Sequence, residues 1–229
     1  MEILNDLLSS PLILVVITIA ICITAGSAYY AWWYVPNKLS EAYRKSLYTI
    51  AAAVETRDSG TIGHAQRVAK YTIAIARELG VRGSELLCVE HAAVLRDMGK
   101  VNLPQALLNK STPLTPEEWE RLKSHSQLGA EIVRAIPFIA DTADLILHHH
   151  EAWDGSGYPD GLAGEEIPLG SRILAVATDF DAATSDRPYH NARPVAQALE
   201  EIQMGSGTRY DPRVVEVFMH IIERENGQA

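Results

Sequence analysis

"HHHEAWDGSGYP", residues 148–159, sets three imidazoles in a row and then breaks into a glycine-rich turn. Leu145 and Ile146 lie four positions before His149 and His150, so on a helix those two rings continue the apolar face. His148 shares its face with Asp144 and Glu151, which predicts a solvated ring. Two other histidines are placed inward in the same way. His64 heads the stripe Val68, Tyr71, Ile75 and Leu79, and His125 falls among Leu122, Gly129, Ile132 and Ile136. Four imidazoles from three predicted helices therefore converge on the interior. They are either unrelated core histidines or a site. A buried ring is costly unless its nitrogens are satisfied, and one shared metal satisfies several together. Neighbouring residues on a helix project about 100° apart, so His149 and His150 suit two sides of one site or two adjacent ions. Imidazole and carboxylate without thiolate suit Fe or Mn better than Zn.

Outward from this stretch, helical periodicity dominates and no segment alternates as a strand. Predicted helices cover residues 63–79, 84–97, 116–136, 139–151, 171–185, 194–203 and 212–224, an all-α domain. Thr115, Pro116 and Glu118 make a capping box with proline at the first helical position, and Asp211–Pro212 marks another start.

The N-terminus is different. "PLILVVITIAICITAGSAYYAWWYV", residues 11–35, carries no charge and is long enough to span about 30 Å of hydrocarbon. Tyr29, Tyr30, Trp32, Trp33 and Tyr34 crowd its end like an interfacial aromatic belt. The rival reading is a cleaved signal peptide, with small residues in "AGSA". An acidic start (Glu2, Asp6) and a long apolar run favour a retained anchor. Lys38, Arg44 and Lys45 follow the span, which places the remaining domain in the cytoplasm of a single-pass inner-membrane protein. The organisation read from sequence is a tail at 1–10, a transmembrane helix at 11–35, a connecting helix at 36–59, a helical domain at 60–224 and a tail at 225–229. A net charge of −9 argues against nucleic acid as a partner, and two distant cysteines, Cys22 and Cys88, exclude a disulfide framework.

The residues in order resemble the HD-GYP family, a bacterial branch of the HD-domain metal-dependent phosphohydrolases. The matching stretches are "GHAQRVAKYT", "AAVLRDMGKVNLP", "LTPEEWERLKSHSQLGAEIV", "HHEAWDGSGYPDGLAGEEIPLGSRILAVA", "DAATSDRPY" and "GSGTRYDPRVVEVF", together about residues 60–222. The resemblance implies a bundle of about seven helices and hydrolysis of cyclic di-GMP at a two- or three-metal centre. It implies that His64, Asp97, His125, His149 and His150 are metal ligands, with Asp97 bridging, and that Lys100 contacts the substrate phosphate or the metal-bound water. Gly157, Tyr158 and Pro159 match the naming motif, whose loop would border substrate or a protein partner. Asp186 and Arg187 sit in a matching "SDRPY", where they form either a structural ion pair or, through the arginine, a phosphate contact.

Two positions depart from the family pattern. Arg96 stands where the HD pair has its histidine, and Thr178 stands where a downstream aspartate binds metal. Thr178 shares an inward stripe with Leu174 and Asp181, whereas Asp179 is rotated about 100° away. His91, six residues before Asp97, is off the face needed to replace the lost ligand. Gly60 stands where three-metal members carry glutamate, so no third ion is expected. An arginine offers no lone pair and does not deprotonate. The expectation is therefore one divalent transition metal rather than two, with catalysis by Asp97 and Lys100 weakened or lost. The chain would then act as a sensor, ligand-binding or interaction module. The alternative is an active cyclic di-GMP phosphodiesterase in which Arg96 itself stabilises charge.

Overall fold

Leu47, Ala51 and Val54 repeat at helical spacing, and all three are buried. They lie at the end of a helical run, Pro11–Glu55, in a computed structural model that describes residues 11–58, 63–186 and 191–227. The run comprises α1 (Pro11–Tyr29), a π-helical turn (Tyr30–Tyr34) and α2 (Val35–Glu55). The expected tail at 1–10 and the residues Gly60 and Arg187 fall outside the described segments.

The chain divides into two units, residues 1–46 and 47–229. In the first, α1 has no buried residue and is apolar and long enough to cross a membrane. Tyr29 stacks on Trp33 and Tyr30 on Tyr34, at centroid separations of 5.1 and 5.3 Å. The second unit begins at Leu47, ahead of the domain start expected at residue 60.

Within that unit follow α3 (His64–Glu78), α4 (Gly83–Leu95), α5 (Gln105–Leu108), α6 (Pro116–Lys123), α7 (His125–Arg134), α8 (Ala143–Leu147), α9 (Leu169–Thr184), α10 (Val195–Met204) and α11 (Pro212–Gly227). The all-α expectation holds; the described residues contain only two isolated β-bridges. Helices α3, α4 and α9 form the centre, where Val68, Ile75, Ala92, Ile173 and Leu174 are fully buried. Tyr71, Phe180 and Phe218 meet edge to face at 4.9–6.0 Å, tying α11 to this core.

Three expected helices end or break early. The helix expected over 84–97 stops at Leu95, leaving Asp97 at the start of a 3-10 turn (Met98–Asn102). The one expected over 116–136 is interrupted at Ser124. The one expected over 139–151 closes at Leu147, so His148, His149 and His150 are not helical. The His149 ring takes a helix acceptor: its Nδ1 donates to the Ile146 carbonyl at 2.6 Å, the group a continuing helix would give to the His150 amide. The Asp144 carbonyl accepts both the His148 amide, at 3.2 Å, and the His148 Nδ1, at 2.9 Å, so that last helical bond is kept. With the extra short α5 and the split at Ser124, the second unit has nine α-helices after α2 among its described residues, rather than about seven.

Caps were more legible. The Thr115–Glu118 box forms in both directions. Helix α3 instead takes its cap from α2: Glu55 accepts from the amides of Gly63, at 2.8 Å, and Ala65. Gly63 has φ 77°, a left-handed value that favours glycine.

Candidate metal centre

The turn after α4 lies against the start of α7, and two glycines permit the approach. A Cβ on Gly99 would run into the backbone of His125 and Gly129. This brings Asp97 beside His125, with Asp97 Oδ1 4.0 Å from His125 Nε2. On the far side, Gly157 folds the GYP loop back onto the backbone of Glu151 and Ala152. Glu151 Oε1 accepts from the amides of Asp160 and Gly161 at 2.8 and 3.1 Å, and the loop carries a cis Tyr158–Pro159 bond. Tyr158 then stacks on His150, centroids 4.8 Å apart.

His125, His149 and His150 converge, their ligand atoms all within 4.8 Å of one another. His149 and His150 have ring centroids 4.0 Å apart, closer than the splay expected of a helix would give. His125 Nδ1 bonds the Leu122 carbonyl at 2.7 Å, as His149 Nδ1 bonds that of Ile146. A carbonyl only accepts, so each Nδ1 carries the proton and each Nε2 presents a lone pair. His150 Nε2 lies 3.2 Å from His125 Nε2. Burial lowers the pKa of all three; for His149, burial and the neighbouring His125 bring it to about 3. Three neutral imidazoles aimed at one point, with a carboxylate beside them, fit a divalent cation.

The other half of the cavity does not. Arg96, only 1% exposed, places Nη2 3.1 Å from Asp97 Oδ2, and its Nη1 donates to the Ala93 carbonyl at 2.6 Å. Thr178 Oγ1 is buried and has no hydrogen-bond partner among the described residues. His64 keeps the pattern of the other ligands: it is buried and its Nδ1 is engaged by Asp181, which leaves Nε2 as its lone pair. The Asp181 carboxylate also takes Arg67 in a bidentate pair at 2.6 and 3.0 Å, so the misfit lies in Arg96 and Thr178. Burial and the Arg96 charge push His64 down to about 4. Burial works to raise the Asp97 carboxyl, yet Lys100 and Arg96 outweigh it and hold Asp97 well below the usual carboxylate range. Lys100 bridges Asp58 and Asp97 at 2.8 and 3.0 Å.

The structure thus gathers His64, Arg96, Asp97, Lys100, His125, His149, His150, Tyr158 and Thr178 around one cavity. Two placements differ from expectation. Asp179 is not turned away; it borders the same cavity, held by the Tyr210 hydroxyl at 2.8 Å and Arg209 at 2.6 Å. His148 is not solvated: its Nε2 meets Asp160 at 2.9 Å and its side chain is 13% exposed. Asp186 accepts from the Ala192 amide at 2.8 Å. Asp58, Arg67 and Arg209 were not anticipated. Arg67 follows His64 by one helical turn and carried a signal in that spacing; Asp58 reaches Lys100 across 42 residues and carried none.

A family profile described as "HD domain" matches residues 49–214. The chain is 40% identical over 185 residues to a cyclic di-GMP phosphodiesterase response regulator of Xanthomonas campestris, covering 80% of this chain and 49% of the relative. It is 43% identical over 169 residues to a cyclic di-GMP phosphodiesterase of Thermotoga maritima, covering 73% and 46%. Among solved structures, a cyclic GMP-AMP specific phosphodiesterase of Vibrio cholerae superimposes with a TM-score of 0.62 at 23% identity, over 77% of this chain and 48% of that one. At that identity the likeness speaks for the fold. The chain belongs to the HD-domain family, in its HD-GYP branch. It spans about half the length of the curated relatives it matches.

Proposed function

We propose that this chain is a membrane-anchored HD-GYP module of cyclic di-GMP signalling that holds one divalent ion and hydrolyses its ligand weakly or not at all. The observation that carries this reading is the buried guanidinium of Arg96 against Asp97. A fixed cation there repels a second ion and occupies a place that a ligand would need. Asp97, His125, His149 and His150 would hold the remaining ion, with Fe or Mn preferred to Zn. When bound, such an ion polarises a phosphoryl oxygen and acidifies water. Lys100, half-buried between Asp58 and Asp97, stays protonated and offers its charge to a phosphate. Tyr158 carries the Gly157–Pro159 loop to one wall of the cavity, and the loop's outer side would face a protein partner. The apolar α1 supports an anchor in the bacterial inner membrane, and the basic residues after it support a cytoplasmic domain. A C-terminal reporter active only outside the cytoplasm would reverse that orientation.

The second reading is an active phosphodiesterase. It is favoured by the intact three-histidine group and by relatives that bear that activity in their names. On that reading Arg96 supplies the charge stabilisation of the missing ion. Steady-state hydrolysis of cyclic di-GMP by the full chain and by Arg96→Ala separates the two. The impaired reading expects a slow parent that Arg96→Ala does not slow further. A fast parent and a dead Arg96→Ala variant would establish the second.

A further inference from the structure

The three-histidine cavity, of about 340 Å³, is not alone. A second hollow of about 430 Å³ adjoins it, and Trp119, His150 and Tyr158 border both. Trp119, on α6, is 48% exposed, so a broad indole stands open at the rim. Lys123, one turn further along α6, holds its ammonium 5.5 Å over the Tyr158 ring. Across the hollow stands Arg209, whose side chain is 63% exposed. Its direction is fixed by Asp179, 2.6 Å from Nη2, and by the Tyr210 ring, 5.6 Å from the guanidinium carbon. An exposed aromatic face, two cations and room for a planar ring have little use for an ion but suit a nucleotide.

We propose that this second hollow is a guanine seat, in which Trp119 stacks on the base and Arg209 reads its edge. The proposal rests on the cyclic di-GMP reading above and deepens it. A cyclic dinucleotide that sets a phosphate at the ion and Lys100 must put a base elsewhere, and the adjoining hollow is in reach across Tyr158. Stacking on an indole does not discriminate among bases, since every base has a π face. Discrimination falls to the arginine, whose planar fork matches the O6 and N7 acceptors of guanine. Adenine presents a donor where guanine presents O6, so the same fork meets it badly. Because Asp179 holds Arg209 in place, little side-chain entropy remains to be lost on binding.

The test uses the full chain in detergent, with cyclic di-GMP and cyclic di-AMP as probes. Tryptophan emission and equilibrium dialysis are both read. Cyclic di-GMP is expected to quench part of the emission, and Trp119→Phe to remove that quenching while keeping affinity. Trp119→Ala should weaken binding about ten- to a hundredfold, the scale of losing one stacked base. Arg209→Ala should cut the preference for cyclic di-GMP over cyclic di-AMP by about tenfold or more. Arg209→Lys keeps the charge beside Asp179 but lacks the fork, and should lose the preference too. Metal content should not change in any of the four variants. Cyclic di-GMP binding that is untouched by Trp119→Ala, or a preference untouched by both Arg209 variants, overturns the seat alone. If dialysis finds neither dinucleotide bound, the seat falls together with the reading on which it rests.

Discussion

Arg96 and Asp97 are adjacent in the chain and paired in space, with Arg96 Nη2 3.1 Å from Asp97 Oδ2. The contact is close but not aligned as a hydrogen bond, and Arg96 Nε finds no acceptor among the described residues. Asp97 is thus the shared counter-ion of a buried guanidinium, of Lys100 and of whatever cation the histidines hold.

Removing that counter-ion should cost stability as well as metal. Asp97→Asn leaves the buried Arg96 guanidinium uncompensated, with Lys100 held by Asp58 alone, a loss on the order of 3–5 kcal/mol where a buried pair is broken from one side. Arg96→Met combined with Asp97→Asn should recover much of it. Thermal unfolding of both variants beside the parent checks this; a single variant as stable as the parent contradicts it.

Restoring the missing half of the centre requires two changes together. Arg96→His returns a lone pair and removes a fixed charge, and Thr178→Asp returns a carboxylate. Either alone leaves the second ion under-liganded, and groups that act as a unit are far from additive. The double variant should gain a second metal equivalent and raise cyclic di-GMP hydrolysis by at least about a hundredfold. Two single variants whose effects simply add would show that the positions do not share an ion.

Acid should destabilise the metal-free protein. His149 and His64 are held neutral by burial, their pKa values lowered to about 3 and about 4. In the unfolded chain they titrate near the ordinary value of about 6.5, so between these limits the unfolded state binds more protons. Stability therefore rises with pH across that window and is lost as pH falls from about 6.5 toward 4. Melting temperatures of the EDTA-treated chain from pH 4 to 7 read it directly. A flat profile contradicts the buried neutral histidines.

The two glycines at the turn contact set a further test. Gly99→Ala drives a methyl into the backbone of His125 and Gly129, neither of which can rotate away. It should cost about 1–3 kcal/mol as overpacking, and more if the backbones separate. Metal affinity should fall with it, because the contact sets the spacing of Asp97 from His125. Unaltered metal binding in a folded Gly99→Ala would detach the centre from this packing.

Much of this was readable beforehand because it rests on local rules. The apolar stripes gave α3, α9 and α11, and the Thr115 box formed as its residues require. The inward histidines were legible because their neighbours at helical spacing are apolar. What failed were helix ends. His149 looks like a helix continuation by spacing, but its ring takes the Ile146 carbonyl that the next helical amide would need. Helical spacing alone turns Asp179 from the cavity; Arg209 and Tyr210, about thirty residues away, hold it at the cavity wall. Pairings of that kind depend on packing between elements and leave no periodic trace.

The most direct test of the central claim is metal stoichiometry. The full chain, loaded with Mn or Fe and dialysed thoroughly, is assayed by elemental analysis beside His149→Ala. One equivalent per chain, lost in the variant, is the expected result. Two equivalents per chain, retained in the variant, would contradict a single ion held by the three histidines and Asp97 with Arg96 in the place of the other.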